Sequence, residues 1–521
     1  MKCTEHRCNL ESYKNYDTCV LHYAKDKEMR DYHMHFDELG DFKIQLVKLI
    51  VKQLFQYHDE TDEVNSSNIQ MYLLSLHSID TPNEDIDTFL REKKVVFNQI
   101  AFPPRDERDP WDYLPILKKL GSIHFNYARF YLSSLELDKT ACFFQDCEFF
   151  DTWYMKDYIS TSDLEDLAIY QACTFNQEVT CSGAPEEKYK LSYCQFNGCK
   201  FEADLIIENT IFEKPLFNNW DGFRGNISNL KIHDSIFESR LILNNQVISS
   251  IDLCNNIFKN KVEFERNIVN KCEIYNCNFE KIVDFYLSKI EEFNLKKSIF
   301  EAYTGFENCQ FGYKHPVDNH NEVASFSYVT FMSFVNFRNT YFFGGLNLDS
   351  INVKEPPNFL NIDVDPTYTP KETFRLIKYS FDKIGNHTDA NKFFAFEMKK
   401  YKEDLYQYQD KKAEKFVFWC NEVISNFGQN YIRPIILIIL LSIIFSIFKY
   451  IKDINLIYKL SPKLNDYILP IQQLLNNLAV NIIPFNKFLI EGMEFISLIY
   501  YLINSVLIWQ TIVALKRYTK R

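Results

Sequence analysis

The sequence predicts a mainly β fold with α-helical additions, built from stacked square turns of chain and ending in two transmembrane helices. Three observations carry this expectation. Four 21-residue segments (230–250, 251–271, 272–292 and 293–313) align without a gap. Within and upstream of them, large apolar residues recur about every five positions. Near the C-terminus, two long apolar stretches carry no charge.

The repeat is seen in three columns. Phe237, Phe258, Phe279 and Phe300 fall 21 residues apart, as do Leu243, Phe264, Phe285 and Phe306, and Ile248, Val269, Ile290 and Phe311. A further turn, 329–343, follows once the polar loop YKHPVDNHNE is passed. Upstream, Phe196, Phe201, Ile206, Ile211 and Leu216 are spaced five apart. A helix brings residues three and four apart onto one face and a one-sided strand brings those two apart, so a period of five fits neither. It suits a chain that turns a corner every five residues. Four such sides make roughly 20 residues, and stacking pairs each backbone with those above and below. A repeat of 21 puts one extra residue in one side.

Composition agrees with a large packed interior. The 521 residues include 47 Phe and 32 Tyr but only 13 Gly, which supplies bulky side chains to bury and few flexible joints. The net charge of -12 disfavours nucleic acid as a partner through its phosphate backbone. Segment 121–355 holds 21 basic and 33 acidic residues, and 21 − 33 = −12 equals the balance of the whole chain.

In chain order, residues 1–35 form the first unit, a zinc knuckle. Cys3, Cys8, Cys19 and His22 make a C-x4-C-x10-C-x2-H arrangement, two close pairs separated by a loop, as a tetrahedral structural zinc requires. Four protein ligands leave no open position, which argues against catalysis. Residues 1–24 carry little apolar sequence, so metal is expected to organise them. The alternative is a disordered N-terminus with incidental thiols, and His6, His33 and His35 are substitute ligands. Residues 36–120 read as a helical and irregular region, and 121–355 as the β-solenoid. Ten cysteines lie between 142 and 309, and seven of them (Cys142, Cys147, Cys173, Cys194, Cys199, Cys277 and Cys309) stand in Cys-x-Phe. They follow the repeat instead of clustering, which marks small buried packing residues.

The units CQFNG, CKFEA, CNFEK and CQFGY each place a large residue at the centre and a small one two positions earlier. In this the sequence resembles the bacterial pentapeptide-repeat family. The resemblance implies a right-handed quadrilateral β-helix, a pentapeptide-repeat solenoid. YISTSDLEDLAIY and TCSGAPEEKYK then read as insertions, Cys stands where the family more often has Ala, and Gly is scarcer at the turns.

Residues 366–428 read as a cytoplasmic helical hairpin. Thr369 is the expected N-cap, Pro370 the first helical position and Glu372 the partner in a capping box. Gly385 ends the first helix, NHTD starts the next, and Phe374, Ile377, Phe381 and Ile384 form one apolar stripe. Residues 432–515 form a transmembrane hairpin, with uncharged stretches at 434–448 and 495–515. Between them, 468–486 reads as an amphipathic helix, with Ile471, Leu475, Leu478 and Ile482 opposite Gln472, Gln473, Asn476 and Asn477. The tail 516–521 is basic (Lys516, Arg517, Lys520 and Arg521). With the missing signal sequence and the cysteine usage, it puts both termini in the cytoplasm at the bacterial inner (plasma) membrane. As an ordered set, these blocks resemble the membrane-anchored pentapeptide-repeat proteins.

No G-x-S-x-G, H-E-x-x-H or phosphate-binding glycine loop occurs, and no enzyme is expected. The reading is a membrane-anchored cytoplasmic binding or sensing scaffold. Its solenoid would recognise a macromolecular protein partner, with membrane lipid around the spans and a homo-oligomer as further partners. The span–amphipathic helix–span order also fits an ion channel or membrane-disrupting effector, by analogy one of antiviral (anti-phage) defence, although no TVGYG filter is present. An acidic DNA mimic, known among soluble pentapeptide-repeat proteins, is the third reading, and a membrane anchor serves it poorly.

Overall fold

The computed structural model describes residues 2–5, 8–14, 16–25, 36–55, 65–76, 83–105, 109–137, 140–160, 167–218, 225–314, 322–406, 411–460 and 494–519. They form two compact units, Met1–Asp365 and Pro366–Arg521.

The first unit is a mixed α/β structure with large parallel sheets. Asn226–His233, Val247–Cys254, Ile268–Tyr275 and Lys289–Lys296 pair in turn, each residue with the one 21 positions later, as in Ile227↔Ile248↔Val269↔Ile290. Ile236–Phe237, Ile257–Phe258, Asn278–Phe279 and Ile299–Phe300 build a second sheet with the same offset. Leu241–Ile242, Val262–Glu263, Val283–Asp284 and Thr304–Gly305 build a third. Each 21-residue segment therefore supplies one strand to each of three sheets. Beyond the polar loop, Ile299 pairs with Thr330 and Phe300 with Phe331, so the loop's extra residues leave the register intact. The parallel pairing begins at Lys94–Asn98 and ends at Asp363–Val364, beyond both limits of 121–355.

Burial explains this register. Ile248, Leu253, Phe258, Phe264 and Val269 are all inside, at intervals of five, five, six and five residues, so the extra residue lies between Phe258 and Phe264. The rings stack from one segment to the next. Phe237, Phe258, Phe279 and Phe300 have successive centroid distances of 4.9, 4.7 and 4.5 Å, and Phe264, Phe285 and Phe306 are 4.9 Å apart at each step. Slipping one segment by one residue would break every stack and expose the rings, so the aromatic columns lock the pairing.

Two expectations need correction here. Ile206 and Ile211 are only half-buried, and Leu205, Ile207 and Phe212 take the interior instead. The pairing of Lys200–Glu208 with Asn226–His233 shifts between Phe201 and Asp204, a bulge that changes the phase locally, and Leu216 is buried again. TCSGAPEEKYK is an insertion only in part, because Val179–Ser182 pairs in register with Leu205–Glu208. In YISTSDLEDLAIY, the flanks Ile159–Ser160 and Tyr170–Gln171 both pair with Ala141–Gln145.

The scarcity of Gly at the turns also has a physical reason. Asp234, Asn255 and Asn276 occupy the left-handed region at φ 51, 57 and 52°, and Asn245, Asn308 and Asn339 do so at 58, 56 and 56°. Asn and Asp are the side-chain-bearing residues that tolerate this conformation best. They also link successive segments: Asn276 Nδ2 donates to Asn255 Oδ1 at 2.9 Å, and Asn255 Nδ2 to Asp234 Oδ1 at 3.1 Å.

Ahead of the first strand lie α1 (Phe36–Leu54), α2 (Ser66–Ser75) and α3 (Glu84–Arg91), and α4 (Leu114–Leu117) lies between Ala101–Phe102 and Ser122–Asn126. Phe42, Leu46, Val47 and Ile50 of α1 face the interior.

The second unit contains α5 (Lys371–Lys383), α6 (His387–Tyr406), α7 (Lys412–Ser425), α8 (Ile432–Leu460) and α9 (Glu494–Thr519). The cap of α5 is displaced by one residue from the expected position: Pro370 occupies the N-cap position and makes no side-chain cap hydrogen bond. Gly385, at φ 78°, ends the turn as expected. Phe374 and Phe381 of α5 pack against Phe396 and Phe393 of α6, with centroids 5.4 and 5.7 Å apart. Ile384 does not join them and is 63% exposed, because it caps the helix and leaves its face. The expected hairpin has a third member, α7. In α8 and α9, Ile432–Tyr450 and Ser497–Arg517 are long and apolar enough to cross a membrane, with mean hydropathy 2.3 and 1.7. They touch through Phe445 and Tyr500, stacked at 4.1 Å, and Tyr500 Oη lies 2.9 Å from Ser442 Oγ. The amphipathic segment 468–486, Lys520 and Arg521 lie outside the described residues.

Candidate metal centre

Cys3, Cys8, Cys19 and His22 come together. Their ligand atoms all lie within 4.8 Å of one another. Cys8 Sγ is 3.7 Å from Cys19 Sγ, and His22 Nδ1 is 3.2 Å from Cys19 Sγ and 3.5 Å from Cys3 Sγ. A tetrahedral ion with bonds of ~2.3 Å to sulfur and ~2.0 Å to nitrogen sets its ligand atoms roughly 3.5–3.8 Å apart. The four side chains fit such an ion. All fourteen cysteines of the chain are free thiols.

Short-range backbone bonds shape both ligand pairs. Cys3 N–H donates to Leu10 C=O at 2.9 Å and Cys8 N–H to Glu5 C=O at 3.1 Å, folding the first pair into a loop. Lys2 and Glu11 bridge in antiparallel fashion at its mouth. In the second pair, the N–H groups of His22 and Tyr23 both donate to Cys19 C=O at 3.0 Å, a tight turn that points Sγ and the imidazole the same way. The His22 ring also hydrogen-bonds the Asn98 backbone, which orients the imidazole with Nδ1 toward the thiols.

Cys3, Cys19 and His22 are buried and Cys8 is half-buried. Burial raises the thiol of Cys8 above its ordinary value and pushes that of Cys19 up to about 12; it lowers His22, so the imidazole is neutral and free to ligate. Lys25 is 1% exposed and its Nζ donates to Val20 C=O at 2.9 Å and to Tyr23 C=O at 3.2 Å. Burial holds that ammonium well below its usual range, and it sits 3.3 Å from the centroid of the Tyr23 ring. Nothing in its sequence context distinguishes Lys25 from a surface lysine.

The described residues among 1–24 are held by contacts with the rest of the first unit, beyond the metal expected to organise them. Val20, Leu21 and Tyr23 are buried. Ala101 N–H donates to Leu21 C=O at 2.8 Å, and Arg129 donates to His22 C=O at 2.8 Å while its guanidinium lies 4.0 Å from Glu5. Arg129 therefore ties both ligand loops to the sheet. No pattern near residue 22 could indicate a partner 107 positions away. Of the substitute ligands, His6, His33 and His35 lie outside the described residues.

The chain matches no family model, curated protein or solved structure.

The sheet cysteines do something else. Cys147 Sγ donates to Phe125 C=O at 3.3 Å, Cys199 to Tyr170 C=O at 3.3 Å and Cys277 to Leu253 C=O at 3.5 Å, each reaching back to the preceding segment. Ser and Asn fill the same place elsewhere: Asn256 donates to Ile232 C=O at 2.6 Å. The position takes small side chains, several of which also have a hydrogen to give, while Ala128 and Val329 fill it by packing alone. Burial pushes Cys277 up to about 12 and Cys181 to about 11, so these thiols stay protonated. Among the described residues, Cys3, Cys8, Cys19 and His22 are the one metal-ligand group.

Proposed function

We propose that Met1–Asp365 is a quadrilateral β-helix of the pentapeptide-repeat kind and that the chain is a membrane-anchored cytoplasmic scaffold. The 21-residue parallel register, maintained through three sheets and their Phe columns, supports the β-helix. Such a rod presents a long, regular face suited to recognising a macromolecular partner. The knuckle at its start holds a structural zinc, for which three thiolates and an imidazole are a fitting donor set.

The anchor reading is supported by the two apolar helices, and an orientation with the end of α9 in the cytoplasm of a bacterial inner membrane by the basic residues Lys516 and Arg517 there. The free cysteines agree with a reducing compartment. The contact between the two helices favours an anchor over a pore. Polar side chains bond across its seam, as Ser442 Oγ and Tyr500 Oη do at 2.9 Å, and the stacked rings of Phe445 and Tyr500 fill it.

One fractionation experiment tests the scaffold. Full-length protein should remain with membranes after alkaline carbonate washing, while a chain ending at Asp365 should be soluble and folded. A truncated chain that still pellets with membranes overturns the anchor. Reconstituted full-length protein should leave vesicles sealed to a trapped dye; leakage would favour the channel or membrane-disrupting reading instead.

A further inference from the structure

We propose that the cleft between the knuckle, α1 and the first paired strands binds a phosphorylated ring compound of mononucleotide size. The cleft has a volume of about 690 Å³, within the usual range for small-molecule sites, and three separate elements converge on it. The proposal rests on the geometry of the first unit and is independent of the anchor.

Charge is the first argument. Lys48 and Lys52, one turn apart on the exposed face of α1, line the cleft, and among the described residues no carboxylate does, in a chain with 70 acidic residues. Neither lysine has an ionic partner among the described residues. Two ammonium groups at this spacing can share one phosphate, as point charges with freely rotating donors.

The remaining lining suits a ring. Leu49 and Ile100 give an apolar floor, and Gln45, Asn98 and Gln99 bring amides that can meet polar ring edges. Tyr127 stands at the cleft 59% exposed, its phenol available for stacking. The cleft is also preformed. Gln53 Nε2 donates to Val96 C=O at 2.7 Å and Val96 N–H to Gln53 Oε1 at 2.9 Å, which fixes α1 against the strand. A ligand entering such a site loses little to reorganisation. Cys8 and His22 form part of one wall, so an occupant would touch the knuckle as well.

The test is calorimetric titration of metal-replete full-length protein in detergent with AMP, ATP, adenosine and inorganic phosphate. AMP or ATP should bind saturably, and adenosine and phosphate each at least tenfold more weakly. The double variant Lys48→Ala/Lys52→Ala should lose at least tenfold in nucleotide affinity with an unchanged melting temperature in the absence of ligand, and Tyr127→Ala should also weaken binding. Raising the salt should weaken binding to the wild type, because exposed ion pairs are screened. No saturable binding of either nucleotide, equal affinity for bare phosphate, or wild-type affinity in the double variant would overturn the proposal.

Discussion

At the residue scale, metal loading at the candidate centre is a problem of protons. Without an ion, burial keeps the Cys8 and Cys19 thiols protonated at neutral pH, Cys19 with a value of about 12. A dication needs thiolates, so loading must expel those protons. The sign follows: lowering pH adds competing protons and weakens binding by about tenfold per pH unit for each thiol that must ionise. His22 adds to the loss only below its ordinary value, because its protonation is already disfavoured. Wild-type protein should therefore release about two protons or more per zinc bound in weakly buffered titrations. Cys19→Ser, which removes the most buried of the three thiols, should abolish stoichiometric zinc by elemental analysis. Equal zinc in both proteins would remove the site.

At the element scale, the turn columns and the helix pair each carry one polar device. Leu287 stands in the left-handed column at φ 58°, 42% exposed, where Asn245 and Asn308 occupy equivalent turns. Its branched side chain gains nothing there and its backbone is strained. Leu287→Asn should relieve the strain and raise stability by ~0.5–1 kcal/mol, read from the denaturant midpoint. In the second unit, Glu397 of α6 is buried between Arg375 Nε at 2.8 Å and Lys378 Nζ at 2.9 Å, both from α5. Glu397→Ala strands two cations, but both reach water in part and can rehydrate. The expected loss is ~2 kcal/mol, less than for a fully buried pair, measured as a lower melting temperature of full-length protein. Helices α5 and α6 were legible in the sequence, but the pairing of Glu397 with residues 22 and 19 positions earlier was not, because it depends on how two helices face each other.

At the scale of the whole molecule, the boundary between the units determines where the chain can be divided. Phe359 stacks on Phe337 at 5.3 Å, and Val364 pairs with Phe342. A chain cut before Phe359 would lose the last stack and expose the ring beneath it, so the truncation that tests the anchor ends at Asp365. The repeat limits read from sequence, 121–355, stop short at both ends for the same reason. Terminal strands such as Lys94–Asn98 and Asp363–Val364 have a neighbour on one side only, and their sequences match the repeat less closely.

Whatever depends on spacing along the chain is legible in the order of the amino acids alone. The 21-residue offset, the Phe columns, the two apolar spans and the set Cys3, Cys8, Cys19 and His22 all follow from intervals that local geometry or chain length imposes. Features that depend on distant segments meeting come from the packed fold. It placed the bulge that moved Ile206 and Ile211 out of the core, the Asn ladders that replace glycine, Arg129 holding the knuckle, and the cleft formed by Lys48, Lys52 and Tyr127. A period records a constraint repeated at every step, whereas a contact made once between remote residues leaves no period to read.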